Sequence, residues 1–226
     1  MIYSTLVFDC DGVILNSNVV KTDAFRSAAL PYGEAAAEAL VEYHISRGGI
    51  SRYEKFRYFL EVIVPQYSSC VDGPGLDQLL EDYASFVRSG LMECEVAPAL
   101  DTLRQRLPNT PWMVASGGAQ GELREVFAER RLSEYFDAGI FGSPDAKVDI
   151  LQREIASGNI RLPAVLLGDS KYDFQAACEC GLDFIFVSNW SEVSDWREWS
   201  QKEGFKVVSS LNSLMHDRDF VESFSA

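Results

Sequence analysis

The sequence predicts an α/β fold: a doubly wound parallel sheet with an all-helical block inserted after its first strand. Three observations carry this. Residues 2–8 form an apolar, β-branched run of the kind that makes a buried strand. Residues 18–92 show helical periodicity with no strand signal among them. From Pro98 onward, short apolar strands alternate with helices, the rhythm of a parallel sheet covered on both faces.

The first strand runs into Asp9-Cys10-Asp11-Gly12. Side chains alternate in an extended segment, so Asp9 and Asp11 share one face and Cys10 takes the other. Gly12 lets the chain turn without a Cβ penalty. Two carboxylates this close repel unless a cation or a shared proton relieves them. A solvated strand end is the alternative for an isolated pair, but this pair lies between two apolar segments.

The helical block follows. Val20, Ala24, Phe25, Ala28 and Ala29 recur at helical spacing, and residues 34–43 read as a second helix. A third begins near Ser51 with Tyr53, Phe56 and Leu60 on one face, and Pro65 is expected to end it. Residues 68–75 are a loop by composition. Leu76, Leu79, Leu80, Tyr83 and Val87 mark a further amphipathic helix. The block 18–92 therefore reads as an inserted domain, with linkers near 16–19 and 92–98. Residues 1–17 and 93–226 are left as the sheet-bearing core domain.

In that core, residues 99–106 read as a helix and 112–115 as a short strand, with Ser116-Gly117-Gly118 as a turn. A helix over 122–131, a weak strand over 138–141 and a helix over 147–156 come next. Residues 164–167 are a strongly apolar strand ended by Gly168-Asp169, then a helix over 174–180 and a strand over 184–187. Trp190, Trp196 and Trp199 are expected to pack a terminal helix, and 206–208 to form a short edge strand.

Composition narrows the class of partner. The net charge is −14, which argues against nucleic acid and against anionic membrane surfaces, both of which call for clustered Lys and Arg. No apolar run reaches the length of a membrane span, and no basic leader precedes the first strand. The cysteines are Cys10, Cys70, Cys94, Cys178 and Cys180: an odd number, with no C-x-x-C unit. This predicts reduced, buried structural thiols in a cytoplasmic protein. The two histidines, His44 and His216, are remote from the cysteines in sequence, which counts against zinc. His44 is expected to be a packing residue. Monomer and dimer are both compatible with the sequence.

In an open parallel sheet, ligands bind beyond the carboxyl ends of the strands. Asp9, Asp11, Ser116-Gly117-Gly118 and Gly168-Asp169-Ser170 all fall at such ends, with Asp173 one helical turn further. Lys147 starts a helix, where the helix dipole opposes it; a nearby anion would account for it, a solvated lysine being the alternative. Together these groups make a coherent phosphoryl-transfer site. Asp9 can attack phosphorus as a nucleophile, and Asp11 can act as general acid and base. Asp9, the backbone carbonyl of Asp11, and Asp169 suit Mg²⁺. Ser116, the Gly117 amide and Lys147 can hold the phosphoryl oxygens.

The ordered set Asp9-x-Asp11-Gly12-Val13, Ser116-Gly117-Gly118, Lys147 and Gly168-Asp169-Ser170-x-x-Asp173 resembles the haloacid-dehalogenase-like superfamily, in its phosphatase and phosphomutase branch. The resemblance spans the chain and implies a Rossmann-like core with a helical cap. It implies Asp9 as nucleophile, Asp11 as acid/base, Ser116 and Lys147 as phosphate binders, and Asp169 as a magnesium ligand. Asp173 would support the metal site, through water or by holding the lysine. Cys10 replaces the commoner Leu or Met, and Asn16 stands where Asp is frequent.

Arg47, Arg52, Lys55 and Arg57 crowd around Gly48-Gly49. Arg52 and Lys55 are expected opposite Tyr53 and Phe56, and Arg57 in solvent. Arg47 and Arg52 either meet a second part of the substrate or form a solvated face. The expected activity is Mg²⁺-dependent hydrolysis of a small phosphorylated metabolite, a sugar phosphate or a phosphorylated carboxylic acid. The alternatives are a phosphomutase using the same aspartyl-phosphate and a non-catalytic phospho-ligand sensor. Dehalogenation is disfavoured, since that chemistry has no need of Asp11.

Overall fold

A computed structural model describes residues 2–67 and 73–224. Cys70 and residues 68–72 of the expected loop lie outside them. The first strand, β1 (Thr5–Phe8), begins three residues later than the apolar run suggested. It leads through Asp9 and Gly12 into the helical block: α1 (Asn18–Ala29), α2 (Glu34–Ser46), α3 (Arg52–Tyr58), a π-helical turn (Phe59–Ile63), α4 (Val64–Tyr67) and α5 (Leu76–Glu93). Among the described residues between β1 and β2 there is no strand beyond isolated bridges.

Pro65 does not end the third helix. It lies within α4, directly after the π turn. The wider turn leaves the proline in the opening turn of the next helical stretch, where no backbone donor is required.

Two linker segments tie the block to the rest. The Asn16 amide donates to the Glu95 carbonyl at 2.9 Å, and the Ala97 amide to the Ile14 carbonyl at 2.8 Å. Leu15 and Val96 form an antiparallel bridge between them.

The remainder alternates as expected: α6 (Leu100–Arg106), β2 (Trp112–Ala119), α7 (Gln120–Glu129), β3 (Ile140–Ser143), α8 (Lys147–Ala156), β4 (Ala164–Gly168), α9 (Lys171–Cys180) and β5 (Asp183–Val187). Then come α10 (Trp196–Glu203), β6 (Lys206–Val208) and two short helices, α11 (Leu211–Met215) and α12 (Arg218–Glu222), which the sequence pattern did not announce. The six strands make one parallel sheet in the order β3-β2-β1-β4-β5-β6.

Alternation along β1 divides the core. Leu6 and Phe8 face a cluster with Phe127, Leu103 and Leu214 that continues into Phe25, Phe56 and Tyr83 of the helical block. Val7 faces the other layer, with Ile150 and Leu151 of α8 and Ala176 and Ala177 of α9. Each layer covers one face of the sheet, which is why the strands read as near-continuous apolar runs.

Two expectations need correction here. Ser116-Gly117-Gly118 is not a turn: β2 continues through it to Ala119, with a register shift against β3 between Ala115 and Ala119. A Cβ at Gly142 would meet the Gly118 carbonyl at 2.3 Å, so the strands approach closely where glycines allow it. Nor are the cysteines uniformly buried. Cys10 is, but Cys94 and Cys180 are half-buried and Cys178 is exposed.

Candidate active site

Parallel pairing sets the site. Phe8 pairs with Val114 on one side and Leu167 on the other, so the residues just beyond these three all emerge at one sheet edge. Asp9 leaves β1 there, its amide donating to the Leu167 carbonyl at 2.8 Å. Ser116 and Gly117 lie in the last part of β2, Lys147 opens α8 after β3, and Asp169 comes directly after β4.

The structure brings Asp9, Asp169, Asp173 and Lys147 together. Carboxylate oxygens of the three aspartates lie within 4.8 Å of one another. Lys147, on α8, donates to Asp9 Oδ1 at 2.8 Å and forms a shorter bond with Asp173. Its side chain is fully buried. Burial alone would drive its proton off, but the two carboxylates outweigh that and raise its pKa. The dipole objection to a lysine in a first turn is thereby answered by two anions.

Asp173 is committed elsewhere as well. One of its oxygens accepts from the Ser170 hydroxyl at 2.7 Å and the Ser170 amide at 3.0 Å, which caps α9. It therefore holds Lys147 and the helix start. Gly168 is required beside it, because a Cβ there would meet Asp173 Cβ at 2.4 Å.

Asp9 and Asp169 carry the strain of this crowding. Burial pushes Asp9 up to about 7, although Lys147 pulls the other way. Burial and the neighbouring Asp173 and Asp9 push Asp169 well above the usual carboxylate range. An all-oxygen set of buried carboxylates whose charges repel one another fits a hard divalent cation such as Mg²⁺, with Asp9 and Asp169 free to hold it. Asp169 is aimed by Asn18 at the start of α1, whose side-chain amide donates to Oδ2 at 2.8 Å. Gly12, with φ at +73°, passes so close that a Cβ would lie 2.0 Å from that oxygen.

Asp11 shares the cavity but not the cluster. Its carboxylate accepts from the Ser17 hydroxyl at 2.6 Å and pairs with Lys21 of α1. Burial would raise its pKa, but Lys21 and Ser17 outweigh it and leave it lowered. Ser116 is buried, its hydroxyl accepting from the Gly118 amide at 3.0 Å. The Gly117 carbonyl accepts from Ser143 at 2.8 Å.

A cavity of about 730 Å³ runs from Asp9, Asp11, Gly117 and Asp169 up into the helical block. The loop Arg47–Ile50 of the block closes over it: a Cβ on Gly117 would strike the Gly49 carbonyl at 2.3 Å. Arg52 pairs with Glu122 of α7 and stacks over Tyr83 at 4.4 Å, bridging block and sheet layer. Arg47 is exposed and lines the cavity rim.

The α3 face differs from expectation. Arg52, Lys55, Phe56 and Phe59 are all buried, the i, i+3, i+4, i+7 stripe. The buried stripe is rotated from the expected one through Tyr53 and Leu60 because the long cations Arg52 and Lys55 take buried positions. The same stripe marks Lys21 with Ala24, Phe25 and Ala28, a signal that could have found it. Lys55 Nζ and His44 Nδ1 share a hydrogen bond of 2.7 Å, and both residues line the cavity. Burial, reinforced by Lys21, lowers Lys55 to about 7; Asp11, Glu192 and Glu54 pull weakly the other way.

No family model matches this chain, and no curated protein does. Solved structures do. A haloacid dehalogenase-like family hydrolase from Streptococcus pneumoniae superposes with a TM-score of 0.66 at 18% identity, over 95% of this chain and 98% of that one. This chain has the haloacid-dehalogenase-like fold. A β-phosphoglucomutase from Clostridium difficile superposes with a TM-score of 0.74 at 19% identity, over 99% of this chain and 97% of that one. CbbY from Rhodobacter sphaeroides, solved in complex with phosphate, gives 0.68 at 18% identity over 94% and 96%. At such identities the likeness is one of haloacid-dehalogenase-like architecture.

Proposed function

We propose that the protein hydrolyses a small phosphate monoester through an aspartyl-phosphate, with Mg²⁺ as cofactor, and that residues 18–92 act as a cap over a core of 1–17 and 93–226. The observation that carries this reading is the buried cluster of Asp9, Asp169 and Asp173, with Lys147 bonded to Asp9 and Asp173, in which Asp9 and Asp169 line the cavity.

In the first half-reaction an Asp9 oxygen attacks phosphorus and the ester P–O bond breaks. Asp11, protonated, gives its proton to the departing alkoxide. In the second, Asp11 takes a proton from water, whose oxygen attacks the same phosphorus. Phosphate leaves and the Asp9 carboxylate returns. Lys21 beside Asp11 favours the ionised form, which suits the second step. Lys147, the Ser116 hydroxyl and the Gly117 amide neutralise and orient the phosphoryl oxygens. Bound Mg²⁺ would supply charge neutralisation between Asp9, Asp169, the Asp11 carbonyl and the phosphoryl group. Asp173 acts by holding Lys147. Closure of the Arg47–Ile50 loop keeps bulk water out.

The test is phosphate release across a panel of phosphorylated metabolites with Mg²⁺, with Asp9→Asn as the blank. Release by the unaltered protein alone supports the reading. Substrate consumed without free phosphate appearing would indicate group transfer within the substrate, as a mutase performs. No turnover on any ester would overturn the enzymatic reading.

A further inference from the structure

Asp169, one of the aspartates proposed to hold Mg²⁺, is braced from the helical block. Asn18, the first residue of α1, donates its side-chain amide to Asp169 Oδ2 at 2.8 Å and to the Trp190 carbonyl at 2.8 Å. Both neighbours are acceptors, so the nitrogen of the amide and not its oxygen must face them, and both of its protons are used. The carboxylate of an aspartate turns loosely about its last bond, so a bond to one oxygen sets the direction of both. Trp190 lies in the segment 188–195 between β5 and α10. Ser191 of the same segment donates to the Asp169 carbonyl at 2.5 Å. Side chain and backbone of Asp169 are thus held from one neighbourhood.

The chain leaves room for this bond. A Cβ at Gly12 would lie 2.0 Å from Asp169 Oδ2 and 2.7 Å from Asn18 Nδ2. The glycine that turns the chain after Asp11 therefore also clears the space in which the two side chains meet. Asn18 is not alone on its face of α1. Lys21 pairs with Asp11, and Thr22 donates to Glu192 at 3.1 Å. Positions 18, 21 and 22 are i, i+3, i+4 neighbours on one helix face, and each meets a carboxylate outside the block. Of these three contacts, the one from Asn18 ends on the buried cluster of Asp9, Asp169 and Asp173.

We infer that Asn18 is a positioning residue: it aims Asp169 at the cation, and it makes closure of the helical block and binding of Mg²⁺ favour each other. This rests on the Mg²⁺ reading of the site and on residues 18–92 acting as the cap. An outer hydrogen bond to a metal-binding carboxylate orients it before the ion arrives, and losing one costs about 10–100-fold in metal affinity. Asn18 belongs to the block and Asp169 to the sheet layer, so their bond exists only while the first turn of α1 lies against the strand ends. Coupling of this kind is reciprocal: what closure adds to Mg²⁺ affinity, Mg²⁺ adds to closure. Thr22 holds the same turn of α1 through Glu192 and supplies the comparison.

Calorimetric titration with Mg²⁺, in the absence of substrate, tests the first half on the unaltered protein, Asn18→Leu and Thr22→Val. Asn18→Leu keeps the bulk and removes both donors, and its Mg²⁺ dissociation constant should rise about 10-fold or more. Asn18→Ala should do the same, and serves if leucine prevents folding. Thr22→Val is nearly isosteric and should stay within about twofold of the parent. Hydrogen exchange tests the second half, with Mg²⁺ at a concentration that saturates each protein. The ion should slow exchange at Gly48–Ile50 several-fold in the unaltered protein and in Thr22→Val, and should not slow it in Asn18→Leu. A residue that only ties the helix down would quicken exchange when replaced, yet leave the slowing by Mg²⁺ intact. Three results would overturn the inference: Asn18 variants that bind Mg²⁺ within about twofold of the parent, an equal loss in Thr22→Val, or slowing by Mg²⁺ that survives the loss of Asn18. An unaltered protein that takes up no Mg²⁺ would overturn the metal reading and this inference with it. Intact Mg²⁺ binding that is indifferent to Asn18 would overturn the inference alone.

Discussion

Lys147 and Lys55 are buried to the same degree, 2% exposed each, yet their surroundings are opposite. Lys147 lies between two carboxylates, and its charge is locked in place. Lys55 rests against a neutral imidazole and an aromatic face, with its pKa lowered to about 7. The first lysine is spent on the protein's own anions, which it organises. The second has no carboxylate in hydrogen-bond contact and gives up its proton far more readily. Burial alone says little about what a cation does; the count of its anionic neighbours says more.

The largest expected effect tests the spent side of that contrast. Asp9→Asn should lower phosphate release by at least ~10⁴-fold with the fold retained by circular dichroism. Lys147→Met should do comparable damage and in addition destabilise the protein by about 3–5 kcal/mol, since it strands Asp9 and Asp173 as buried, unpaired carboxylates. Urea unfolding measures this, and a variant as stable as the parent would show that the pair is not charged in the native state.

Lys55→Met should do the reverse to stability. The folded ammonium loses its proton near pH 7, against 10.5 for the free side chain. Between those values the unfolded chain holds a proton that the folded chain does not, so stability from this group rises with pH across the window. Removing the charge therefore helps most below pH 7. Thermal unfolding should show a Tm gain of roughly 5 °C at pH ~6, shrinking by more than half by pH ~9.5. A gain independent of pH would mean that packing, not charge, sets the difference.

Gly12→Ala should cost about 1–2 kcal/mol, for the left-handed backbone and the Cβ aimed at Asp169, and should weaken Mg²⁺ binding measured by calorimetry. The smallest effect is expected from Glu122→Gln, which removes the charge complement of Arg52 across the two layers. Hydrogen exchange at Gly48–Ile50 should quicken several-fold, since a partly buried ion pair of this sort contributes on the order of 1–2 kcal/mol to closure.

The same contrast explains how much was legible in the sequence. Asp9, Ser116, Lys147, Asp169 and Asp173 could be read because strand ends announce themselves: an apolar run stops, and in a parallel sheet the polar residues after each stop lie on one edge. Helices give no such stop. The cavity side of α3 depends on which of two stripes is buried, and long cations such as Arg52 and Lys55 can lie on either. Hydrophobicity favours the stripe through Tyr53, and the buried stripe lies about one residue's rotation from it. Glu122 was invisible for a different reason. Its role depends on how α7 meets α3, a contact between segments 70 residues apart that no local pattern encodes. The extension of β2 through Ser116-Gly117-Gly118 was hidden because glycines signal turns and close strand approach alike.

The paired crossings at Ile14–Asn16 and Glu95–Ala97 have a mechanical consequence. Two chains that pass side by side, tied by backbone bonds of 2.8 and 2.9 Å, form a ribbon, and a ribbon bends easily across its plane and poorly within it. On the proposed division into cap and core, that ribbon is the axis about which the cap would turn. If residues 18–92 act as the proposed cap, Arg52, Lys55 and His44, which all belong to it, leave the cavity together when it opens.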